Sequence, residues 1–387
     1  MKRVCLLPVL LALLLLAGCS QPEPVEETFP TTVPETTAAA TEATVPPTTE
    51  PPDPVLELLD TMSTEEKVGQ LFLTRCPAAE SISVIEGNHI GGFILYGEDL
   101  ENQTPESLAA TIAGWQASSD IPMLIAVDEE GGTVCRVSSE RAFRSSPFPS
   151  PRSSFDKGGM EAALGIEAEK AYLLSSLGIN VNMAPVCDIS TTPGAFMYRR
   201  SLGQDPQTTG EFAIQTTELL AAFGVGAVWK HFPGYGDNGD THTGIARDHR
   251  SLEELEGRDL VPFSMGVLGG CDAILMSHII VDALDRDNPA SLSPAVVSYL
   301  RQVMGFTGVI VTDDLMMSGI LHLYAPGEAA VLAILAGNDL ICTTDPARQI
   351  PAVVDAVASG RITTARLEEA VTRILRWKQD LGLIPAE

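Results

Sequence analysis

The chain has 387 residues, of which 45% are hydrophobic and 5% aromatic, so it is neither a small disulfide scaffold nor a wholly disordered protein. Its 24 basic and 51 acidic side chains give a formal net charge of −27. Because nucleic-acid binding needs a cationic face and the sequence has no basic cluster, we expect no nucleic-acid partner. The acidity predicts a well-solvated surface.

Residues 1–19 have the pattern of an exported lipoprotein's signal peptide. A basic start precedes a 14-residue apolar run, 4–17, which is too short to span a bilayer. The run ends in Leu16-Ala17-Gly18-Cys19, which looks like a bacterial lipobox. We therefore expect lipidation of Cys19 and a membrane anchor, with the rest of the chain outside the cytoplasm. An ordinary signal peptide with an incidental cysteine is the alternative.

Residues 20–54 have the composition of a disordered stalk. Of these 35 residues nine are Pro, nine are Thr and seven are acidic, and none is basic. Such a segment cannot bury a core. At about 3.1 Å per residue of polyproline-like chain it could extend on the order of 100 Å. The folded domain is expected to be 55–387.

Within 55–387, short apolar runs alternate with stretches of helical periodicity. A capping box, Ser63-Thr64-Glu65-Glu66, marks the first helix. The eight candidate strands are Gln70–Arg75, Gly91–Tyr96, Pro122–Asp128, Ile179–Val186, Val225–Lys230, Ala273–His278, Gly308–Asp313 and Asp339–Thr343. The clearest helical stretches are Glu161–Leu177, Glu211–Phe223, Leu252–Val267 and Pro294–Met304.

Eight strand–helix alternations without a hairpin signal predict an α/β fold with a parallel sheet, and at this length a (β/α)₈ barrel of the TIM type. A doubly wound open sheet is less consistent with this pattern, because it needs a topological switch point and usually a phosphate-binding loop.

The cysteines after the lipobox are odd in number and lack C-x-x-C spacing, so most are expected to be small buried hydrophobes. They are Cys76, Cys135, Cys187, Cys271 and Cys342.

Several predicted strands end in charged or imidazole side chains. They end at Asp128-Glu129-Glu130, at Lys230-His231, at His278 and at Asp313-Asp314. A single aspartate after a strand is usually a helix cap. In a barrel, however, the carboxyl ends of all strands share one face, which is where active sites lie. The repeated pattern therefore predicts a catalytic site on that face.

The segment 230–244 reads KHFPGYGDNGDTHTG and is the densest polar cluster. Its glycines match G-x-G-x-x-G, but no helix opens at the third glycine, so no dinucleotide cofactor is expected. His231, Asp240 and His242 could ligate a metal only with a further, suitably spaced ligand, so no metal is expected either. We read the glycines as turn residues of a mobile loop.

The tripeptide Asp240-Thr241-His242 fits acid/base chemistry. A carboxylate two residues from an imidazole can hold the proton of one ring nitrogen and leave the other for proton transfer. Two solvated loop residues are the competing interpretation. With a carboxylate such as Asp313 on the same face, an acid/base group and a nucleophile are both present. The absence of a G-x-S-x-G elbow disfavours a serine hydrolase.

The motif Lys230-His231-Phe232-Pro233-Gly234, followed by Asp240-Thr241-His242, resembles the signature of glycoside hydrolase family three. The closest match is its single-domain beta-N-acetylglucosaminidase branch, and the resemblance covers most of 55–387. Further matching blocks, in chain order, are Glu65-Glu66-Lys67-Val68-Gly69-Gln70-Leu71, Asp128-Glu129-Glu130-Gly131-Gly132, Arg200-Ser201-Leu202-Gly203, Met276-Ser277-His278 and Thr312-Asp313-Asp314-Leu315-Met316-Met317.

The resemblance implies a retaining, exo-acting beta-N-acetylhexosaminidase without a cofactor or metal. Asp313 would be the nucleophile, His242 the acid/base, and Asp240 its orienting carboxylate; the residues alone do not choose between Asp313 and Asp314. The resemblance also implies a set of residues that bind the terminal sugar: Asp128, Arg136, Arg200, Lys230 and His231. The expected substrates are peptidoglycan fragments or chitin-like oligosaccharides, and His278 is expected to be a buried, satisfied histidine.

Three positions depart from the family pattern: Tyr235 replaces a usual second histidine, Thr133 a frequent arginine and Glu129 a frequent glutamine. We expect these departures to change substrate preference and loop behaviour more than they change the predicted catalytic residues.

Three alternative functions stay open, namely a glycoside phosphorylase, another beta-glycosidase, and a surface sugar-binding protein on a degenerate scaffold.

Overall fold

The computed structural model describes residues 53–75 and 81–386. The predicted signal peptide with Cys19, the stalk up to residue 52, and Cys76 lie outside the described residues. Asp53 and Pro54, predicted as the end of the stalk, belong to the fold. Asp53 caps the first helix, because its side chain accepts a hydrogen bond from the amide of Val55 at 3.0 Å.

Eight parallel strands form the centre of the molecule. They are β1 (Phe72–Arg75), β2 (Gly92–Leu95), β3 (Leu124–Val127), β4 (Val181–Asn182), β5 (Gly226–Phe232), β6 (Ala273–Met276), β7 (Val309–Thr312) and β8 (Ile341–Thr343). Each strand from β1 to β6 pairs with the next along the chain, and β8 pairs with β1. A parallel bridge between Val311 and Leu340 joins β7 to the segment leading into β8. The predicted (β/α)₈ barrel is confirmed, and the open doubly wound sheet is wrong.

The strands are buried on both sides, as expected where helices cover a parallel sheet. Every residue of β2, β3, β6 and β7 is buried. This explains why the strands appear in the sequence as continuous apolar runs rather than as alternating patterns. Strand β4 is shorter than the predicted run Ile179–Val186, whose last residue makes only an isolated bridge to Lys230.

Helices surround the strands. The α-helices are α1 (Pro54–Thr61), α2 (Thr64–Gln70), α3 (Ser81–Asn88), α4 (Gly97–Leu100), α5 (Pro105–Ala117), α6 (Pro151–Ser176), α7 (Pro206–Ala222), α8 (Leu252–Glu256), α9 (Leu260–Gly269), α10 (Pro294–Ser298), α11 (Ser318–Leu321), α12 (Pro326–Ala336), α13 (Pro346–Ala358) and α14 (Thr364–Asp380). A 3₁₀ turn spans Ala290–Leu292, and a π-helical turn, Tyr299–Val303, follows α10.

The four predicted stretches are helical, with three differences in extent or form. Helix α6 begins at Pro151, ten residues before the predicted start at Glu161. The stretch Leu252–Val267 forms two helices, α8 and α9, instead of one. Pro294–Met304 changes from α10 into the π-helical turn. The predicted capping box is present at α2: the Ser63 amide donates to the Glu66 carboxylate at 2.7 Å, and the Glu66 amide donates to the Ser63 hydroxyl at 3.2 Å.

Two short strand pairs lie outside the barrel and were not predicted. Glu129–Gly131 pairs antiparallel with Val134–Cys135, and Arg247–Asp248 pairs in parallel with Ile280–Val281. Two- and three-residue strands are too short to give a periodic signal.

The described cysteines are unpaired; three are buried, Cys187, Cys271 and Cys342, and Cys135 is partly buried. Across 53–75 and 81–386, no helix has the length and apolar character needed to cross a membrane.

Candidate active site

A cavity of about 750 Å³ opens at the carboxyl ends of the barrel strands. Its walls come from two residues of β5, from residues that directly follow β2, β3 and β7, and from the segments after β3, β4 and β5. All eight residues predicted for catalysis or sugar binding line this cavity: Asp128, Arg136, Arg200, Lys230, His231, Asp240, His242 and Asp313. The structure therefore brings together residues from four separate parts of the chain.

Asp313 and Asp314 follow β7 but differ in their surroundings. Asp313 lines the cavity, whereas the Asp314 carboxylate accepts hydrogen bonds from the amides of Met316 at 2.9 Å and Thr344 at 3.3 Å. Burial opposes ionisation of Asp313, but the imidazoles of three histidines and the amide of Asp314 favour it. The net effect lowers the pKa of Asp313 below its ordinary value, so it is anionic at neutral pH. These histidines are His278, His231 and His242.

Asp240 and His242 form the pair that their spacing predicted. Nδ1 of His242 lies 2.6 Å from Oδ1 of Asp240, and the His242 amide donates to the same oxygen at 2.9 Å. The carboxylate therefore keeps the proton on Nδ1. Among the described residues, Nε2 of His242 has no hydrogen-bond partner, and its ring lines the cavity. The imidazole can thus exchange a proton with a molecule in the cavity.

A buried network of four charged groups forms one wall of the cavity. Nζ of Lys230 lies 2.6 Å from Oδ1 of Asp128 and 2.6 Å from Oε1 of Glu130. Arg200 binds Glu130 with both arms of its guanidinium, at 2.9 Å from Nε to Oε2 and 2.6 Å from Nη2 to Oε1. Such a bidentate pair fixes the orientation of both side chains.

This network shifts the pKa values of Glu130, Lys230 and Arg200 toward their charged forms. Burial alone would raise the pKa of Glu130, but Arg200 and Lys230 outweigh it and hold that pKa far below its ordinary value. Burial alone would lower the pKa of Lys230, but Asp128 and Glu130 outweigh it and raise that pKa. Glu130 and Lys230 are therefore both charged, and the wall can both donate and accept hydrogen bonds.

His231 is fixed from both sides of its ring. Nδ1 lies 2.7 Å from Oδ2 of the buried Asp188, and Nε2 lies 3.2 Å from Nη2 of Arg200. Because an arginine can only donate, these contacts assign the proton to Nδ1 and make Nε2 an acceptor. Asp188 also accepts the backbone amides of His231 at 3.2 Å and Tyr235 at 2.7 Å. Asp188 therefore positions the whole start of the 230–244 segment.

Arg136 reaches the cavity from the short strand pair beyond β3. The buried carboxylate of Glu129 accepts the amides of Arg136 at 2.9 Å and Val137 at 2.7 Å and also binds the Ser138 hydroxyl. The guanidinium of Arg136 lies 3.9 Å from Asp128 and 5.9 Å from the ring of Tyr96. Glu129, one of the departures from the family pattern, thus anchors the backbone that presents Arg136.

Sequence reasoning missed four residues that build the site: Tyr96, Glu130, Asp188 and Phe196. Asp188 follows the fourth predicted strand, so the signal used for the other strand ends would have found it. Glu130 is two residues from Asp128 in the sequence, but no local sequence pattern indicated that its carboxylate pairs with two cations, Arg200 and Lys230. The Phe196 ring lies 6.1 Å from the His242 ring and 5.2 Å from the Arg200 guanidinium, contacts that no sequence pattern indicated.

His278, omitted from the predicted site, is a fully buried histidine whose ring nitrogens contact the Ser291 hydroxyl at 2.8 Å and the Asp314 carbonyl at 3.0 Å.

The one group of potential metal ligands in the described residues lies outside the cavity. Glu66, His89 and Asp120 have ligand atoms within 4.8 Å of one another, and each precedes a barrel strand. His231, Asp240 and His242 do not form such a group.

An anionic carboxylate and a carboxylate-bound imidazole in one cavity of a (β/α)₈ barrel are suited to acid/base-assisted displacement at a sugar carbon. The family comparison agrees with this chemistry. Residues 63–377 match the model described as Glycosyl hydrolase family 3 N terminal domain. The chain belongs to glycosyl hydrolase family 3 and is a glycoside hydrolase of its beta-hexosaminidase branch.

Two curated relatives place the chain in that branch. Beta-hexosaminidase LpqI of Mycobacterium tuberculosis is 31% identical over 331 residues, which cover 82% of this chain and 83% of that protein. Beta-hexosaminidase A of Pseudoalteromonas piscicida is 30% identical over 331 residues, covering 78% of this chain. The matched part is only 55% of the Pseudoalteromonas protein, so the chain spans about half of that relative.

Two solved structures have the same fold. A glycoside hydrolase family 3 beta-N-acetylglucosaminidase from a Paenibacillus species has a TM-score of 0.77 at 32% identity, covering 83% of this chain and 63% of that one. The structure titled M tuberculosis LpqI also has a TM-score of 0.77, at 28% identity, covering 84% of this chain and 96% of that one. The barrel and its branch are therefore shared with proteins of known structure.

Proposed function

We propose that this chain is a retaining, exo-acting beta-N-acetylhexosaminidase that removes terminal beta-linked N-acetylglucosamine. The observation that carries the proposal is the set of residues that lines this one cavity. It holds an anionic Asp313 together with the Asp240–His242 pair, in which one ring nitrogen is bound by carboxylate and the other is unpartnered among the described residues. The relatives named beta-hexosaminidase support the same activity.

In the first step, the carboxylate of Asp313 attacks the anomeric carbon and forms a glycosyl ester as the bond to the leaving oxygen breaks. His242 gives the Nε2 proton to that oxygen, and Asp240 stabilises the imidazole by accepting from Nδ1. The lowered pKa of Asp313 supports its role as the anionic partner, since a protonated carboxyl is a poor nucleophile.

In the second step, Nε2 of His242 takes a proton from water as that water attacks the anomeric carbon. The bond between sugar and Asp313 breaks, and the free carboxylate and the protonated imidazole are restored. A histidine here does the work that retaining glycosidases usually assign to a second carboxylic acid. The chemistry is unchanged, because one group must give and later take a proton.

The sugar-binding role falls to the charged wall and its neighbours. Sugar hydroxyls both donate and accept, so they can bind carboxylate, ammonium and guanidinium groups at once. Lys230 and Arg200 are fixed by Glu130, and His231 is fixed by Asp188, so their positions are set before substrate arrives. Asp128 and Arg136 complete the proposed binding set.

We assign peptidoglycan fragments as the substrate class and the cell envelope as the location. These assignments rest on the lipobox pattern at Leu16–Cys19, with lipid on the Cys19 sulfur and the segment 20–52 as a stalk. Radiolabelled palmitate should label the full-length chain expressed in a bacterium, and Cys19→Ala should abolish the label. Label retained by Cys19→Ala would disprove the anchor without affecting the proposed chemistry.

The decisive experiment on the activity is nitrophenol release from p-nitrophenyl beta-N-acetylglucosaminide by purified 53–387 in phosphate-free buffer. Turnover by the parent, with a loss of at least about a hundredfold in Asp313→Asn, is expected. Asp314→Asn is the matched control, because its side-chain oxygen can still accept the amides of Met316 and Thr344. Equal losses in both variants would contradict the assignment of Asp313.

The same assay separates the remaining alternatives. Turnover that requires added phosphate, with release of a sugar phosphate, would identify a phosphorylase. Turnover of a beta-glucoside in place of the N-acetylglucosaminide would identify a different glycosidase. Binding of N-acetylglucosamine without any turnover would leave a surface sugar-binding protein.

A further inference from the structure

Tyr235 is a buried residue beside the cavity that the proposed mechanism does not use. Its side chain is 1% exposed, and its hydroxyl lies 2.5 Å from Oγ1 of Thr241. In the described residues neither of these two hydroxyls has another hydrogen-bond partner. Burial raises the pKa of the Tyr235 phenol well above its ordinary value, so the group stays protonated. The bond connects the start of the loop to the residue between Asp240 and His242.

Tyr235 is held in place by contacts outside residues 236–244. Its backbone amide donates to Oδ1 of Asp188 at 2.7 Å. Its ring packs edge-on against His231, with centroids 5.2 Å apart, and against Phe196 at 5.5 Å. The phenol therefore offers a fixed hydrogen-bonding point under the loop.

Thr241 is the point at which the Asp240–His242 segment attaches to the barrel. Its side chain is fully buried, whereas the side chains of Asp240 and His242 are 31% and 58% exposed. Its carbonyl accepts the amide of Gly319 at 3.1 Å. A Cβ at position 319 would lie 3.2 Å from this carbonyl oxygen, so the close approach favours glycine there.

We propose that Tyr235 is a positioning residue for the acid/base pair, acting through its hydrogen bond to Thr241. The inference rests on the proposed roles of His242 and Asp240. Proton transfer needs hydrogen-bond reach, and a displacement of about 1 Å can cost about a hundredfold in rate. Asp237 accepts from the Ser190 hydroxyl at 2.8 Å, and Asn238 donates to Asp248 at 2.9 Å, so these contacts hold the first half of the loop. The attachment at Thr241 is the one next to His242, and we infer that it sets the position of the imidazole.

The hydroxyl can be tested apart from the ring. The Phe196 ring lies against both Tyr235 and His242, so removing the whole Tyr235 ring would also disturb the imidazole through packing. Tyr235→Phe keeps that packing and removes only the hydroxyl. Thr241→Val removes the other hydroxyl with little change in shape. Tyr299→Phe is the matched control, because it deletes a hydroxyl bonded to Glu256 at 2.7 Å far along the chain from the loop.

The experiment measures kcat/KM for two N-acetylglucosaminides and the Tm of each variant. A 2,4-dinitrophenyl leaving group departs without a proton, whereas an alkyl or sugar leaving group needs one from His242. Tyr235→Phe and Thr241→Val should each lose about 10- to 100-fold with the alkyl or sugar leaving group, and less than about threefold with dinitrophenyl. Each should also lower Tm by about 2–5 °C, since a buried hydroxyl is left unpaired.

The double variant Tyr235→Phe/Thr241→Val distinguishes positioning from folding. It has no unpaired hydroxyl, so its Tm should return toward the parent value while the selective kinetic loss remains. Kinetic loss that recovers together with Tm, or equal loss for both leaving groups, would overturn the positioning role. Kinetic constants for Tyr235→Phe that match those of the parent would also overturn the positioning role. A parent without turnover would instead overturn the proposed function, and this inference with it.

Discussion

Lys230 and Glu130 form an ion pair inside the cavity wall: Nζ lies 2.6 Å from Oε1, and the side chains are 3% and 1% exposed. Arg200 binds the same carboxylate in a bidentate manner. One buried anion therefore compensates two buried cations that the proposed mechanism uses to bind sugar. Neutralising that anion should affect stability and activity together.

Glu130→Ala should lower the free energy of unfolding by about 3–5 kcal/mol, because it removes the carboxylate that Arg200 binds and one of the two carboxylates that Lys230 binds. Glu328→Ala is the matched control. Glu328 also binds an arginine, Arg361, with both oxygens, but that pair is about 40% exposed, so its loss should cost under about 1 kcal/mol. Urea denaturation of both variants measures the difference. Similar losses at the two sites would contradict the proposed importance of burial.

His242→Ala should reduce hydrolysis of substrates with a sugar leaving group by about 10²- to 10⁴-fold, the usual contribution of a general acid/base. The chain contains a closely matched control in His249, whose Nδ1 lies 2.6 Å from Oδ2 of Asp282. His249 is 75% exposed and does not line the cavity. His249→Ala should therefore stay within about twofold of the parent in kcat/KM. Comparable losses in both would refute the acid/base assignment.

Glu129→Ala should raise KM by about tenfold and change kcat less, because the backbone that presents Arg136 loses its carboxylate anchor. Glu129→Gln keeps one acceptor oxygen for the amides of Arg136 and Val137 and should remain within about threefold of the parent. Steady-state kinetics with the nitrophenyl substrate test both variants. A KM unchanged in Glu129→Ala would show that Arg136 needs no such anchor.

Lys378 should make stability depend on pH in the alkaline range. Its ammonium is fully buried beside Oε1 of Gln70 at 2.6 Å, and burial lowers the pKa of Lys378 to about 7. Between about pH 7 and the ordinary value of 10.5, the unfolded chain binds a proton that the folded chain lacks. Stability from this group therefore rises with pH across that window, by about 1.4 kcal/mol per pH unit.

Lys378→Met should remove this contribution and flatten the curve of unfolding free energy against pH relative to the parent. Lys157→Met replaces an exposed lysine and should leave the curve unchanged. Denaturant titrations between pH 7 and 9.5 give the comparison. Parallel curves for the parent and Lys378→Met would contradict the lowered pKa.

The barrel itself was predictable from local sequence. Each strand that is buried on both faces produces a continuous apolar run, and the alternation of eight such runs with helices leaves few topologies. The prediction failed where local signals are weak. The two helices α8 and α9 were predicted as one, because apolar residues recur at helical spacing on both sides of Gly257–Asp259. The short strand pairs at the mouth have too few residues for any pattern.

The Asp240–His242 contact was determined by the sequence itself, because two residues so close in the chain can hydrogen-bond without help from the rest of the fold. The position of Asp313 near that pair, and the pairing of Glu130 with Lys230 and Arg200, depend on tertiary structure. Glu130 is 70 positions from Arg200 and 100 positions from Lys230 in the sequence, so only the folding of the barrel brings them together. The neighbouring opposite charges then keep these groups ionised, because a cation removed from water depends on the anion beside it.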